Sequence, residues 1–406
     1  MNPDIKPNLL VAKGSFKAMG GAERDLIRTL PALNRLFKVK VATIHKTPEL
    51  TNTCKKEGIE LLHPSNQWNL PTGILSTILD KGRDSASLSW LQIPRIEEHL
   101  RDSDAIHLVS GDGSLPLIDH IPEETLVHLY LLEPHRGLYE ETLHRRVDGS
   151  PKQNIFFTNL LLSRARKRDM NLLNSLIKRK NSKFSGNSKF STIRAKNVYG
   201  IDAGILWPCV DISEFPSDNN DDNENPYPFE DDYVVCIGRA SWAKGTWETI
   251  AMLEGTELSL AHVGGGDTKS ISKLENHAKT KDVGFWISPK ISSPDLVSLM
   301  RGARAIVSMA HNESFGLSPI EAFAVGTPAI FVDEGGFKET IVDRKNGRLI
   351  PRNNIESWHE ALDEVKNEDI RNKWKSAGLE RISELNLSPE KHAERLKEIL
   401  SINSLQ

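Results

Sequence analysis

The stretch His311-Asn-Glu-Ser-Phe-Gly-Leu-Ser-Pro-Ile-Glu321 decides how this chain reads. Before it runs Ala305-Ile-Val-Ser-Met309, apolar and short enough for a buried strand. After it comes Ala322-Phe-Ala-Val-Gly326, which reads as a helix closed by glycine. Ser318 suits the N-cap, Pro319 suits the first helical position, and Glu321 stands three residues after the cap. Strand, loop and helix N-terminus therefore meet at two carboxylates, Glu313 and Glu321. A helix N-terminus offers free backbone N–H groups and favours anions. Two readings follow. Either Glu321 completes a capping box and Glu313 is a solvated loop residue, or a carboxylate here accepts neighbouring hydroxyls of a ribose or hexose, as the acidic residue of a dinucleotide site does.

The same strand–loop–helix alternation extends in both directions. Upstream, Tyr233-Val-Val-Cys-Ile237 reads as a strand running into Gly238-Arg-Ala-Ser-Trp-Ala-Lys-Gly245. The fork of Arg239 and the compact charge of Lys244 both suit a diphosphate, though exposed basic residues are also ordinary surface. Leu258–Asp267 is a strand entering a glycine loop, and Asp282–Ile287 is a strand followed by Ser288-Pro289. In the first half, Asn8–Ala12 reads as a strand and Val39–Ile44 as the next. Between them lie the loop Lys13–Gly20 and a helix that opens at Gly21. This is the opening of a nucleotide-binding α/β unit, with Gly20 and Gly21 placed for a tight turn or a close approach to phosphate. No complete Gly-x-Gly-x-x-Gly is present, which disfavours a dinucleotide dehydrogenase. Further along, Trp90–Leu100 and residues 155–178 read as helices, and Asp104–Val109 and Thr125–Leu132 as strands.

Taken together, Glu313-x7-Glu321 within Asn-Glu-Ser-Phe-Gly-Leu-Ser-Pro-Ile-Glu-Ala-Phe-Ala, Gly-Arg-x4-Lys-Gly, Gly-Gly-Ala-Glu-Arg and Glu334-Gly-Gly-Phe-Lys-Glu-Thr-Ile resemble the retaining glycosyltransferases of family 4. The resemblance runs from Gly20 to Asn346 and is strongest in the second half. It implies the GT-B fold, two Rossmann-like doubly wound α/β domains facing a cleft. The implied donor is a nucleoside-diphosphate sugar. Arg239 and Lys244 would clamp its diphosphate, Glu321 would bind the ribose, Glu313 would lie near the transferred sugar, and Gly20 and Gly21 would sit against the donor. Ser288 and Pro289 would cup the base through their backbone. The family usually carries His-x-Pro after the fifth strand of the first domain, and this chain has Leu132-Glu133-Pro134 there. His135, Glu133 or Arg136 serves in place of that histidine, or the site works without it. Asp102-Ser-Asp104 spells a metal motif of other glycosyltransferases, but it leads into a strand, so no metal is expected.

Length and composition agree with this reading. The 406 residues call for two domains. The expected limits are 1–210 for the acceptor-side domain and 211–385 for the donor domain, with a C-terminal helix in 386–406 crossing back to the first. The segment Ser217–Asp232, with seven Asp or Glu, reads as a surface linker. Residues 1–210 hold 30 Lys+Arg against 22 Asp+Glu, and residues 211–406 hold 22 against 33. Halves of opposite sign imply different partners. Between Arg164 and Lys196 there are eleven basic residues and one acid, Asp169. Either this is a solvated helix face, or it holds the first domain against an anionic membrane or a lipid-linked acceptor. Three scattered cysteines fit a reducing compartment, and no run of 18 apolar residues exists, so a cytoplasmic protein is expected, peripheral to the membrane only if the basic stretch docks there. The chain carries no nucleic-acid motif. The expected activity is transfer of a hexose to an acceptor hydroxyl, glycan or lipid-linked, with retained configuration. Two alternatives stay open: a related enzyme that epimerises or hydrolyses the sugar nucleotide, and a binding protein that kept the fold without the chemistry.

Overall fold

The computed structural model describes residues 6–71, 76, 79–215 and 224–401. The chain divides into two compact units. One comprises Met1–Tyr139, Phe156–Val210 and Leu387–Gln406, and the other comprises Glu140–Ile155 and Asp211–Asn386.

The first unit is built on a seven-stranded sheet in the order β3-β2-β1-β4-β5-β6-β7, with every pairing parallel. The strands are β1 (Asn8–Ala12), β2 (Lys38–Ala42), β3 (Glu60–Leu62), β4 (Ala105–Val109), β5 (Leu126–Tyr130), β6 (Ser182–Gly186) and β7 (Gly204–Ile205). Strand side chains alternate between faces, and β1 is buried on both. Leu10 and Ala12 join one apolar cluster with Ile106, Leu172, Leu173 and Leu176. Leu9 and Val11 join another with Leu26, Leu30 and Leu33 of the helix Gly21–Leu36 and with Ala393, Leu396 and Leu400 of the helix Pro389–Leu400. A near-continuous apolar strand is the composition a doubly covered parallel sheet demands.

The second unit repeats the plan with six parallel strands in the order β10-β9-β8-β11-β12-β13. These are β8 (Tyr233–Ile237), β9 (Ser259–Val263), β10 (Phe285–Ile287), β11 (Ile306–Ser308), β12 (Ala329–Val332) and β13 (Arg348–Ile350). In each sheet the strand order reverses beside the first strand, between β1 and β4 in one and between β8 and β11 in the other. Open α/β sheets bind ligands outside the carboxyl ends of the strands at such a reversal.

Several local expectations are corrected. The helix expected over Trp90–Leu100 is two helices, Lys81–Leu91 and Ile96–Arg101. Pro94 cannot continue the first, and Arg95 takes a left-handed conformation at φ 55°. The helical stretch 155–178 also divides, into Ile155–Leu161 and Ser163–Lys178. In the acidic stretch Ser217–Asp232, residues 217–223 lie outside the described residues. The remainder lies at the surface as expected, with Tyr227 as its one buried residue, stacked on Tyr233 at 4.0 Å between centroids. Residues 140–155 cluster with the second unit although they fall within 1–210. Asp148 forms an ion pair with Lys273, and Gly149 lies against the ring of Trp242. Asp104, half of the Asp-x-Asp string, accepts the backbone N–H of Asn8 at 2.7 Å and so fixes the start of β1.

Candidate functional site

In the second unit, β8 delivers Gly238–Gly245 and β11 delivers His311–Leu317 to the same strand reversal. The first of these loops tightens into a 3-10 turn, Trp242–Lys244, and leaves through Gly245 at φ 68°. That conformation favours glycine, and a Cβ there would overlap the Met309 carbonyl at the end of β11. The two loops are joined three ways. The His311 N–H donates to the Ala243 carbonyl at 2.9 Å, the Trp242 and His311 rings stack at 4.9 Å, and Lys244 Nζ pairs with Glu313 Oε2 at 2.5 Å. The pair is half-buried, with 34% of the lysine side chain and 22% of the glutamate exposed. Arg239 stands exposed on the same loop. Sequence motifs 69 positions apart thus bring a cation and a carboxylate into contact.

The Glu313 loop is pressed from behind by Gly335-Gly336. The Gly336 N–H donates to the Glu313 carbonyl at 2.7 Å, and a Cβ at Gly335 would overlap the Glu313 backbone. The glycines of Glu-Gly-Gly-Phe therefore set the position of Glu313 by absence of bulk. The helix beyond begins at Ser318, with Leu317 as its N-cap and no side-chain cap bond, and ends at Gly326 in the left-handed region, φ 80°. Ser318 is not the cap that the sequence suggested. Glu321 consequently sits at the fourth position of the helix, still in its first turn, its N–H bonded to the Leu317 carbonyl at 3.0 Å, one residue past the capping-box position. Ser288 follows β10. It is buried, its N–H donates to the His262 carbonyl at 2.9 Å, and its hydroxyl donates to the Pro289 carbonyl at 2.9 Å. Beneath it, burial pushes the His262 imidazole down to about 4, so it is neutral at physiological pH.

Sequence reasoning missed the group that braces these loops. Arg352, just beyond β13, pairs with Glu334 at 2.7 Å and with Glu248 at 3.1 Å, and donates to the Met309 carbonyl at 2.7 Å. Glu248 in turn holds His311 Nε2 at 2.7 Å. Four residues from separate elements form one network, and no local spacing announces it. The one cue was His311, which opens the decisive stretch.

In the first unit the corresponding loop leaves β1 at Lys13. Gly20 caps the helix Gly21–Leu36, its N–H donating to Glu23 Oε2 at 2.7 Å, and Gly21 is exposed. The other Glu23 oxygen pairs with Lys13 Nζ at 3.1 Å, and that ammonium also donates to the Ser110 carbonyl beyond β4 at 3.2 Å. Only 2% of the Lys13 side chain is exposed. Leu132 packs partly into the adjoining core, and its N–H donates to the Ser110 hydroxyl at 3.1 Å. His135 is exposed, before the short helix Arg136–Tyr139, and its N–H donates to Tyr199 Oη at 3.4 Å. Of the predicted site residues, Arg239, Lys244 and Glu313 share two joined loops, Glu321 and Ser288 lie on neighbouring elements of the same unit, and Gly20, Gly21 and His135 belong to the other unit.

Residues 217–381 match the family described as glycosyl transferases group 1. The second unit carries a glycosyl transferases group 1 domain. Among curated relatives, the alpha-1,3/1,6-mannosyltransferase alg-2 of Neurospora crassa is 25% identical over 236 residues, which is 48% of this chain and 50% of that protein. The D-inositol 3-phosphate glycosyltransferase of Saccharomonospora viridis is 35% identical over 97 residues, 24% of this chain and 22% of that protein. The chain thus spans half or less of the length of these relatives. Among solved structures, Anabaena Alr3699/HepE in complex with UDP and glucose superposes with a TM-score of 0.69 at 16% identity, covering 97% of this chain and 99% of that one. The sucrose-phosphate synthase of Thermosynechococcus elongatus superposes with a TM-score of 0.71 at 16% identity, covering 98% of each. The fold is that of the GT-B glycosyltransferases: two parallel-sheet, Rossmann-like α/β units.

Proposed function

We propose that this chain is a retaining, metal-independent glycosyltransferase of family 4 that moves a hexose from a nucleoside-diphosphate sugar to an acceptor hydroxyl. The observation that carries the reading is the half-exposed Lys244–Glu313 pair at the strand reversal of the group 1 domain, with Arg239 exposed on the same loop. An incoming diphosphate offers Lys244 a second anion, and Arg239 adds a fork of donors. As the bond from the sugar's anomeric carbon to the diphosphate breaks and an oxocarbenium-like sugar forms, charge accumulates on the leaving oxygen. Fixed cations there are worth about 3 kcal/mol each to the transition state. The acceptor oxygen bonds to the same face of that carbon, and its proton passes to the departing phosphate. This route needs no side-chain base from the first unit, consistent with leucine at position 132. Glu313, relieved of Lys244, lies next to the transferred sugar. Glu321 takes the ribose hydroxyls and Ser288 borders the base, and Gly20 and Gly21 remain candidates for a backbone contact to the donor. His135 is the remaining candidate for a proton-handling role. The acceptor, a glycan or a lipid-linked hydroxyl, we assign to the first unit, the basic half of the chain.

Support comes from the group 1 match and from relatives named as mannosyl- and inositol-phosphate glycosyltransferases. The test is a panel of nucleotide sugars assayed for binding and then for transfer to glycan and lipid-linked acceptors. Binding followed by transfer with retained configuration is expected. Rapid turnover of donor alone would instead favour epimerisation or hydrolysis, and binding without transfer to any acceptor would favour a non-catalytic protein.

A further inference from the structure

The seven-residue helix Ile155–Leu161, sequence IFFTNLL, contains no charged residue. Phe156 is 74% exposed, and Phe157 and Leu160 are each 61% exposed. Leu160 follows Phe156 by four positions and Phe157 by three, so the three side chains share one face. Clustered exposed apolar residues rimmed by polar groups mark an interaction surface. The rim here is basic. Arg164 and Lys167 follow the helix, both exposed. The next helix, Ser163–Lys178, is anchored, because Leu172, Leu173 and Leu176 are buried in the core of the first unit. The single acid of the 164–196 stretch does not offset this charge outward. Asp169 is buried, accepting from Tyr139 Oη at 2.9 Å and Tyr199 Oη at 2.8 Å.

We propose that Phe156, Phe157 and Leu160, together with the exposed Arg164 and Lys167 of the next helix, dock this protein on an anionic lipid bilayer. The apolar side chains would enter the boundary between headgroups and acyl chains while the basic residues meet lipid phosphates, the arrangement of interfacial anchors. Charge complementarity selects this occupant. A second copy of the chain would bring its own Arg164 and Lys167 against these, and like charges repel across such an interface. The proposal deepens the acceptor side of the transferase reading by naming where a lipid-linked acceptor would be met.

The test is co-sedimentation of the full chain with vesicles of phosphatidylcholine alone and of phosphatidylcholine with phosphatidylglycerol, at low and high salt. The wild type is expected to bind the anionic vesicles at least tenfold more tightly than the neutral ones, with the difference shrinking at high salt. Phe156→Ser/Phe157→Ser/Leu160→Ser and Arg164→Glu/Lys167→Glu should each lose at least tenfold in binding. Their thermal melts should match wild type, since these side chains are exposed. Equal wild-type binding to both vesicles, or a triple variant that binds like wild type, overturns the proposal. So does a wild-type dimer in light scattering that the triple variant converts to monomer. Vesicle binding requires no catalysis, so a failure here leaves the transferase reading intact. Loss of nucleotide-sugar binding by the wild type would sink that reading without touching this one.

Discussion

Each half of the molecule puts a lysine–glutamate pair at its strand reversal, and the two pairs are opposites in burial. Lys13–Glu23 has 2% and 10% of its side chains exposed, and Lys244–Glu313 has 34% and 22%. The first pair is committed on every side: its lysine holds the Ser110 carbonyl and its glutamate holds the Gly20 N–H. Removing either member would strand a buried charge. The second pair gains little net energy from a contact that water already screens, so an incoming anion can displace it at small cost. One motif of the doubly wound sheet is therefore scaffold in one half and candidate site in the other. What separates them is the source of the glutamate. Glu23 comes from the helix that directly follows the loop and folds over its own lysine. Glu313 comes from the loop after β11 and leaves one side of Lys244 open.

The largest effect expected from this contrast is on transfer. Arg239→Ala combined with Lys244→Ala should lower the transfer rate by at least a hundredfold, since each lost donor of this kind costs about a hundredfold or more. The melting temperature should move by less than about 2 °C, because neither side chain is core. Steady-state kinetics and a thermal melt decide it. A double variant with more than about a tenth of the wild-type rate would remove the diphosphate clamp from the proposal.

The same deletion in the first half should act on stability. Lys13→Met is expected to cost about 3–5 kcal/mol in urea unfolding, because Glu23 is left buried and unpaired. Adding Glu23→Gln should recover more than half of that loss, since glutamine still accepts from Gly20 without carrying a charge. If Lys13→Met proves as mild as an exposed substitution, or the second change makes matters worse, the two pairs do not differ in the way their burial indicates.

The contrast also shows why some of the molecule was legible in sequence and some was not. The parallel α/β plan could be read because β1 and β8 are apolar on both faces, and the turn after β8 needs Gly245, where bulk and conformation exclude other residues. Arg239, Lys244 and Glu313 could be singled out because each lies within a few residues of such a turn. The burial of Lys13 could not, since it depends on Ser110 and Glu23 closing over it from two separate elements. The Glu334–Arg352–Glu248–His311 network was invisible for the same reason. The Ser318 cap was misplaced by one residue, because Leu317 already has helical dihedrals and the helix starts without a side-chain cap. The expected helix over Trp90–Leu100 ignored the break that Pro94 imposes.

That misplaced cap sharpens the smallest prediction. If Glu321 stood at the third position after a capping serine, replacing it would weaken the helix, and any loss of ligand affinity would be confounded with loss of structure. Leu317 provides no side-chain cap, and Glu321 stands at the fourth helical position, one residue past the capping-box place. Glu321→Gln keeps the length of the side chain, and glutamine is nearly as good a helix former as glutamate. The melting temperature should therefore stay within about 1 °C of wild type. Nucleotide binding should weaken by about 1–2 kcal/mol, the difference between charge-assisted and neutral hydrogen bonds to vicinal hydroxyls. The nucleoside diphosphate itself, titrated calorimetrically against wild type and variant, separates the outcomes. A tenfold weaker Kd with an unchanged melt places the carboxylate on the ribose. An unchanged Kd with a lowered melt would return Glu321 to the helix as a structural residue, and the second unit would then hold its ligand through the diphosphate and the base without a carboxylate on the ribose.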